Sequence, residues 1–478
     1  MIDPGLAEAG IAASVSESLN EAPISRFHHR AVLVSGVGFF TDAYDLFVIS
    51  TVAALVSAQW KLSTTETSWV SGSAILAAFF GALLFGRLAD VVGRKKVYAL
   101  VAGIMIAGAL ASALAPNFAV LVAARFVLGL GIGGDYPVSA VLMSEYANRK
   151  DRGRLVGLVF SMQALGLVVG PLVGLLLLSS GLGHDATWRL LLALGALPAA
   201  GVIYLRAKMP ESPRFTARVL GDASGAAREA AAFSAGAVDA NGADEGRYKL
   251  RVGEFLTNPR MLVLLLGTAG SWFLFDYAYY GNTLSLPAIL KEVDPSASIS
   301  AKLAWSLGIF VVFAVPGYAL AVFRMDRIGH RRLQIIGFAV MAVAFTALGA
   351  FRDLTAYVAP FLLVFGLSYF FVEFGPNTTT FVLPSEVFPV NMRTTGHGIA
   401  AGVGKLGAFG GVFLVPALQG SVGLRGMLFV AAGASVVGGL LSRILPEPAR
   451  RNLEEVSGEH VFALDPPGGE RPPIASLP

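Results

Sequence analysis

Seven ionisable residues sit inside long apolar stretches of this sequence: Asp42, Asp45, Arg125, Asp135, Asp276, Glu373 and Lys405. Facing lipid, each would cost about 2.5–3.5 kcal/mol, on the order of 20 kcal/mol together. That exceeds the net stability of a typical domain, about 5–15 kcal/mol. They must face a polar interior, and the chemistry of such residues is that of a substrate or proton pathway. Five acids face two bases in the set. Low dielectric favours the neutral form of an acid, so part of the set is expected to bind protons near neutral pH, as a proton-coupled machine requires. Asp42 and Asp45 are three apart and share a helix face, which makes them a candidate proton-relay pair. The alternative, internal ion pairs that only fix helix packing, is strongest for Arg125 and for Glu373, which lies near a break at Pro376.

A second group has the chemistry of anion binding. Trp272, Asp276 and Tyr280 recur at i, i+4 and i+8, one continuous stripe on one helix face. Gly375-Pro376-Asn377-Thr378-Thr379-Thr380 breaks a helix and offers an amide and hydroxyls, and Lys405 is the only lysine within any apolar stretch. A buried lysine needs a partner to keep its proton. That partner is one of the carboxylates or an anionic substrate.

The elements that carry these residues follow from composition. The chain has 478 residues, 55% hydrophobic and only 14% charged, whereas a soluble protein carries roughly 25% charged residues. Apolar runs at about 31–56, 69–88, 98–115, 118–144, 155–178, 190–205, 261–290, 303–323, 333–350, 354–383, 396–418 and 427–445 are long enough to cross a hydrocarbon core of about 30 Å. The expected fold is an all-α polytopic membrane protein of twelve transmembrane helices. Residues 1–30 form a polar N-terminal segment expected to be retained, 31–206 and 261–445 two six-helix halves, 207–260 the loop between them, and 446–478 a Pro-rich, disordered tail. With the spans alternating, the great majority of the 36 Lys and Arg residues fall on the side of the N-terminus. By the positive-inside rule both termini are expected in the cytoplasm, so the net charge of +4 sets topology in the lipid bilayer and does not signal nucleic-acid binding. The absence of cysteine excludes disulfides, thiol catalysis, iron–sulfur clusters and cysteine-bound zinc. No cofactor or metal ion is expected.

The halves repeat each other. Asp90-Val91-Val92-Gly93-Arg94-Lys95-Lys96 recurs 236 residues later as Asp326-Arg327-Ile328-Gly329-His330-Arg331-Arg332. Glu145 and Arg152 recur 241 residues later as Glu386 and Arg393, and Pro210-Glu211-Ser212-Pro213-Arg214 is echoed by Pro446-Glu447-Pro448-Ala449-Arg450. Parallel six-helix halves organise the major facilitator superfamily, whose substrate site lies between them near the midplane, and Gly86-Arg87-Leu88-Ala89-Asp90-Val91-Val92-Gly93-Arg94-Lys95-Lys96 resembles its signature loop. Asp90, Arg94, Glu145, Arg152, Asp326, Glu386 and Arg393 are therefore expected to form a gate of ion pairs that holds the inward side shut.

Gly38-Phe39-Phe40-Thr41-Asp42-Ala43-Tyr44-Asp45-Leu46-Phe47, Gly133-Gly134-Asp135-Tyr136-Pro137, Gly270-Ser271-Trp272-Phe273-Leu274-Phe275-Asp276, Phe374-Gly375-Pro376-Asn377-Thr378-Thr379-Thr380 and Gly404-Lys405-Leu406-Gly407-Ala408 together resemble the phosphate:proton symporter family of that superfamily. The resemblance runs over nearly all twelve spans. It implies that inorganic phosphate is held by Tyr136, Gln163, Trp272, Asp276, Tyr280, Asn377 and Lys405, and that Asp42, Asp45, Asp135 and Asp276 transfer protons. The inter-half loop is short for that family, and Glu373 has no place in its pattern. The chemistry agrees. A buried phosphate needs several neutral donors with limited positive charge, and a single lysine opposite a carboxyl that can be protonated gives a switch.

Other classes fit less well. An intramembrane aspartyl protease would use Tyr44-Asp45, but Ile132 stands where its second motif needs a glycine before Asp135. Gly129-Leu130-Gly131-Ile132-Gly133-Gly134 matches a dinucleotide fingerprint without the strand–turn–helix context and reads as close helix packing. Among non-enzymes, a symporter of another small anion (sulfate, an organophosphate or a carboxylate) and a membrane nutrient sensor stay open. The expectation is a transporter in a plasma or bacterial inner membrane.

Overall fold

A computed structural model describes residues 15–234, 250–284 and 286–459. Among these, twelve helices are long and apolar enough to cross a membrane. We label them α1 (Arg26–Trp60), α2 (Thr64–Val92), α3 (Arg94–Ala113), α4 (Phe118–Tyr146), α5 (Arg152–Ser179), α6 (His184–Ala207), α7 (Pro259–Thr283), α8 (Ser300–Ile328), α9 (His330–Ala350), α10 (Val358–Val387), α11 (Arg393–Leu414) and α12 (Gly420–Ser442). Many extend beyond the apolar runs of the sequence, because their charged ends continue the helix past the hydrocarbon-like portion. Arg94, Glu145, Arg152, Glu386 and Arg393 thus lie on helix ends, not in loops. The apolar run predicted to carry α7 on to residue 290 is divided instead, and its last part is a separate helix, Leu286–Val293.

Helices approach closely where small residues permit it. A Cβ on Gly133 of α4 would lie 2.0 Å from the carbonyl oxygen of Ala78 on α2, and one on Gly407 of α11 would lie 2.1 Å from that of Phe273 on α7. The glycine-rich run 129–134 is therefore a packing surface. In α10 the helix widens into a π turn over Glu373–Asn377, with Gly375 at φ −115°, ψ −107°, as expected where Pro376 removes a backbone donor.

The internal repeat has a physical role. Gly93 and Gly329 precede α3 and α9 with φ of +104° and +106°, a region that disfavours any side chain. The Glu211 carboxylate accepts from the backbone N–H groups of Arg94 (3.1 Å) and Lys95 (3.3 Å). Glu447 accepts in the same way from His330 (2.7 Å), Arg331 (3.4 Å) and Arg332 (3.3 Å). Each carboxylate satisfies orphan donors at a helix N-terminus and opposes the positive end of its dipole.

On the same face, the helix Val15–Glu21 and the helix Leu453–Ser457 are joined through Arg214, which donates to Asn20 Oδ1 (2.9 Å) and to Glu454. The tail is therefore not disordered from residue 446: residues 446–459 dock on the helical bundle, with Leu453, Val456 and Glu459 buried, because their carboxylates meet arginines that composition alone does not pair with them. The prolines at 466, 467, 472, 473 and 478 lie outside the described residues, as do 1–14 and 235–249.

Candidate functional site

Lys405 is the centre of the site. Its Nζ lies 3.1 Å from Asp276 Oδ2 and 3.1 Å from the Tyr280 hydroxyl, 4.6 Å from the Tyr136 ring centroid and 4.5 Å from that of Tyr280. The α7 stripe supplies Trp272, Asp276 and Tyr280, and α11 can lie against it because Gly404 has no side chain. A Cβ there would be 2.7 Å from the Trp272 ring. Tyr136 packs on Trp272 at 6.1 Å between centroids. Gln163 Nε2 donates to the Tyr136 hydroxyl (3.0 Å), the Tyr318 hydroxyl donates to Gln163 Oε1 (3.3 Å), and Asn377 Nδ2 donates to the Tyr318 hydroxyl (2.8 Å). All seven residues assigned to the anion are thus buried in one connected cluster between the halves.

The acids divide by partner. Asp45 takes both oxygens to Arg125 Nη1 (2.8 and 3.0 Å). Asp135 pairs bidentately with Arg206 (2.7 and 2.9 Å) and accepts from Ser139 (3.0 Å). Gly38 makes room for this pair, since a Cβ there would lie 1.8 Å from Arg206 Nη2. Asp42 is buried within electrostatic range of Asp135, Arg206, Lys405 and Asp45, and among the described residues neither of its oxygens has a hydrogen-bond partner. Asp42 and Asp45 therefore do not act on the same surroundings. The first is unpartnered and the second is held by an arginine.

Arg206 was missed in the sequence, where the apolar run ends at residue 205. In the structure α6 continues to Ala207 and buries Arg206, with its guanidinium 4.3 Å from the Tyr98 ring centroid. The signal that could have found it is an arginine within a turn of a span end, opposite an otherwise uncompensated Asp135. The charge set is then five acids and three bases, and Glu373 and Asp42 are its two carboxyls without a cation bonded to them among the described residues.

On the face that carries the termini, the residues expected to gate meet one another in ion pairs between the halves. Glu145 meets Arg393 (3.0 Å) and Arg94 (3.4 Å), and Arg94 also meets Asp90 (3.0 Å). Arg152 meets Glu386 (2.7 Å), which also bonds His330 (2.7 Å). Asp90 accepts from the backbone N–H groups of Thr394 (3.3 Å) and Thr395 (2.6 Å) at the start of α11. Its repeat mate Asp326 accepts from those of Gly153 (3.0 Å) and Arg154 (2.7 Å) at the start of α5. Between gate and site lies an aromatic layer, with Phe381 against Phe39 (4.9 Å) and Phe160 (4.5 Å). On the opposite side Phe47 stacks on Tyr280 at 6.1 Å and lines a narrow vestibule with Thr51, Thr283, Leu303 and Phe310.

Residues 31–459 match the family described as "Sugar (and other) transporter". The chain belongs to that family. Within it, the chain is 36% identical to the putative inorganic phosphate transporter 1-13 of Oryza sativa subsp. japonica, over 93% of this chain and 94% of that one. It is equally 36% identical to the low affinity inorganic phosphate transporter 8 of Medicago truncatula, over 93% of each. Its fold is that of the solved proton:xylose symporter XylE bound to 6-bromo-6-deoxy-D-glucose, with a TM-score of 0.76 over 90% of this chain and 98% of that one at 20% identity. As a sugar (and other) transporter family member of the major facilitator fold, the chain shows, among the described residues, the twelve membrane-length helices and two pseudo-symmetric halves read from its sequence.

Proposed function

We propose that this protein is a proton-coupled symporter, not an enzyme, that imports inorganic phosphate across the cell membrane by alternating access, with both termini in the cytoplasm. The observation that carries the reading is Lys405 held between Asp276 and Tyr280 within a ring of neutral donors. It occurs in a chain 36% identical to transporters named for inorganic phosphate. One cation among phenol, indole and amide donors suits a tetrahedral oxyanion.

The geometry of Lys405 and Asp276 supports one route to coupling. While Asp276 is ionised it neutralises Lys405. A proton arriving at Asp276 Oδ2 releases the ammonium, which then binds the anion together with Tyr280, Tyr136, Trp272, Gln163 and Asn377. When the site turns to the side of lower proton concentration, Asp276 loses the proton, recaptures Lys405 and displaces the anion. Asp42 is the free member of the first-half acids and takes protons in transit, with Asp45 and Asp135 held ready by Arg125 and Arg206. The gate residues keep the cytoplasmic face shut while the site loads.

Uptake of labelled phosphate into proteoliposomes of the purified chain tests this reading. Accumulation should be driven by a proton gradient, abolished by a protonophore, competed by arsenate and resistant to sulfate and glycerol phosphate. Sodium-driven, protonophore-insensitive uptake, or stronger competition by sulfate or glycerol phosphate, would overturn it.

A further inference from the structure

Glu373 takes no part in the mechanism so far, yet it is fully buried at the helix break beside the anion site. Its Oε1 accepts from the Tyr279 hydroxyl (3.1 Å) and its Oε2 from Asn377 Nδ2. The titratable groups facing it are Tyr279 and Tyr280 of α7, Tyr318 of α8 and Tyr369 of its own helix. The ionisable residues of α9, His330, Arg331 and Arg332, are confined to its first turn, where His330 is already paired with Glu386 and Asp326. Among the described residues no Lys, Arg or His forms an ion pair with Glu373, so its partners are neutral.

A primary amide has two N–H donors. Asn377 spends one on the Tyr318 hydroxyl and the other on Glu373 Oε2. An ionised Glu373 therefore withholds from the anion the donor that Asn377 is proposed to supply. A phosphate arriving one helical turn away would also bring a second negative charge into a buried cluster that already holds an uncompensated one, which is costly.

We infer that Glu373 is a second proton acceptor of the transport cycle, which occupies the Asn377 donor while ionised and releases it to the anion on protonation. The inference rests on the phosphate-symporter reading above. In the step, a proton from the loading side bonds to Glu373 Oε2 and the Asn377 N–H···Oε2 hydrogen bond breaks. The new carboxylic O–H then donates to the amide oxygen of the reoriented Asn377, leaving one Nδ2 proton for a phosphate oxygen. Deprotonation on the releasing side restores the original bond and withdraws the donor. Glu373 thus gates affinity through Asn377, while Asp276 gates it through Lys405.

The test counts protons taken up per phosphate bound, by calorimetry in buffers of different ionisation enthalpy from pH 5 to 8, using the full chain. Wild type, Asp276→Asn, Glu373→Gln and the double variant are compared. Asp276→Asn should still take up protons on binding phosphate, and Glu373→Gln should take up about one fewer than wild type. In Glu373→Gln the slope of log Kd against pH should fall by about one, since that slope counts linked protons. The double variant should lose both contributions. Proton uptake and a pH slope in Glu373→Gln equal to wild type would make Glu373 a hydrogen-bonding strut and overturn the inference. So would an Asp276→Asn protein that binds phosphate without proton uptake, a result that does not depend on the Glu373 variant folding. A wild-type protein that transports another anion but not phosphate would instead overturn the functional reading, and the same proton count with that anion would still decide for or against Glu373.

Discussion

Glu145 of α4 and Arg393 of α11 come from opposite halves and meet at 3.0 Å on the terminus-bearing face, and Arg152 with Glu386 repeats the contact at 2.7 Å with acid and base exchanged between halves. All four side chains are essentially inaccessible. Buried pairs of this kind are strongly destabilised when one partner is removed, by about 3–5 kcal/mol. Their loss should therefore favour the conformation in which the halves have parted.

Arg393→Ala is expected to open that face. The chain has no cysteine, so a single reporter cysteine placed at residue 157, on the gate side of α5 where a Cβ would lie 2.9 Å from Met325 Sδ across the seam, reads the gap between the halves against the reporter alone as baseline. Its rate of alkylation should rise at least tenfold, on the order of 1.4 kcal/mol of population shift. An unchanged rate would mean that the pair does not hold the face shut.

Lys405→Ala removes the one cation bonded to Asp276. Phosphate binding should fall by well over tenfold while the protein still inserts, because a lost buried charge contact is worth several kcal/mol. Equilibrium binding to detergent-purified protein measures it. Normal affinity would leave Lys405 as a structural partner of Asp276 only.

Asp276→Asn and Asp42→Asn should come apart. The first keeps a hydrogen-bonding group against Lys405 and should retain measurable binding, with proton-driven accumulation lost and counterflow surviving in part. The second makes no hydrogen bond to a proposed anion ligand among the described residues and should bind phosphate almost normally while concentrative uptake drops. Equal loss of binding in both variants would make Asp42 a substrate ligand and remove the division between relay and site.

Arg206→Ala should destabilise the fold by about 3–5 kcal/mol, since it strands Asp135 without its bidentate partner. Arg206→Ala with Asp135→Asn should recover part of that loss. Thermal unfolding in detergent gives both values, and a single variant as stable as wild type would show the pair to be dispensable.

Docking of the tail carries a pH signature. Burial works against the Glu454 carboxylate, but Arg214, with Arg218 and Arg393 behind it, outweighs burial and holds the carboxyl at about 2. A carboxyl depressed in the folded state contributes stability that is present above its unfolded value of about 4.3 and is lost as pH falls through the folded one. Protease cleavage between 446 and 459 should therefore be constant from about pH 5 to 8. Glu454→Gln should raise cleavage throughout that range, and a wild-type rise already at pH 5 would contradict the ion pair.

The parts of this architecture legible in the sequence are those where charge stands out against an apolar background. Twelve apolar runs, the stripe Trp272, Asp276, Tyr280, and the solitary Lys405 needed only periodicity and the cost of burying charge. Partner choice did not follow from those rules. Asp45 looked paired with Asp42 because they stand three positions apart, but which helix lies opposite is a tertiary fact, and Arg125 of α4 takes Asp45 alone. Arg206 was hidden because hydropathy marks where apolar residues stop, not where the helix stops. The tail was misjudged because composition cannot see that Glu447, Glu454 and Glu459 each have a receptor waiting in the bundle.

The gate has a property that its distances alone do not state. Two of its acids are held in common by two bases, one from each half: Glu145 by Arg94 and Arg393, and Glu386 by His330 and Arg152. When the halves separate, neither carboxylate is stranded, because each leaves in the company of the base it grew up beside, and Arg393 likewise keeps Glu459. For these two carboxylates closure is thus a change of shared ownership and not the making and breaking of exclusive pairs, and among the described residues the charge that parting leaves without an acid is Arg152, whose ion pair is with Glu386 alone.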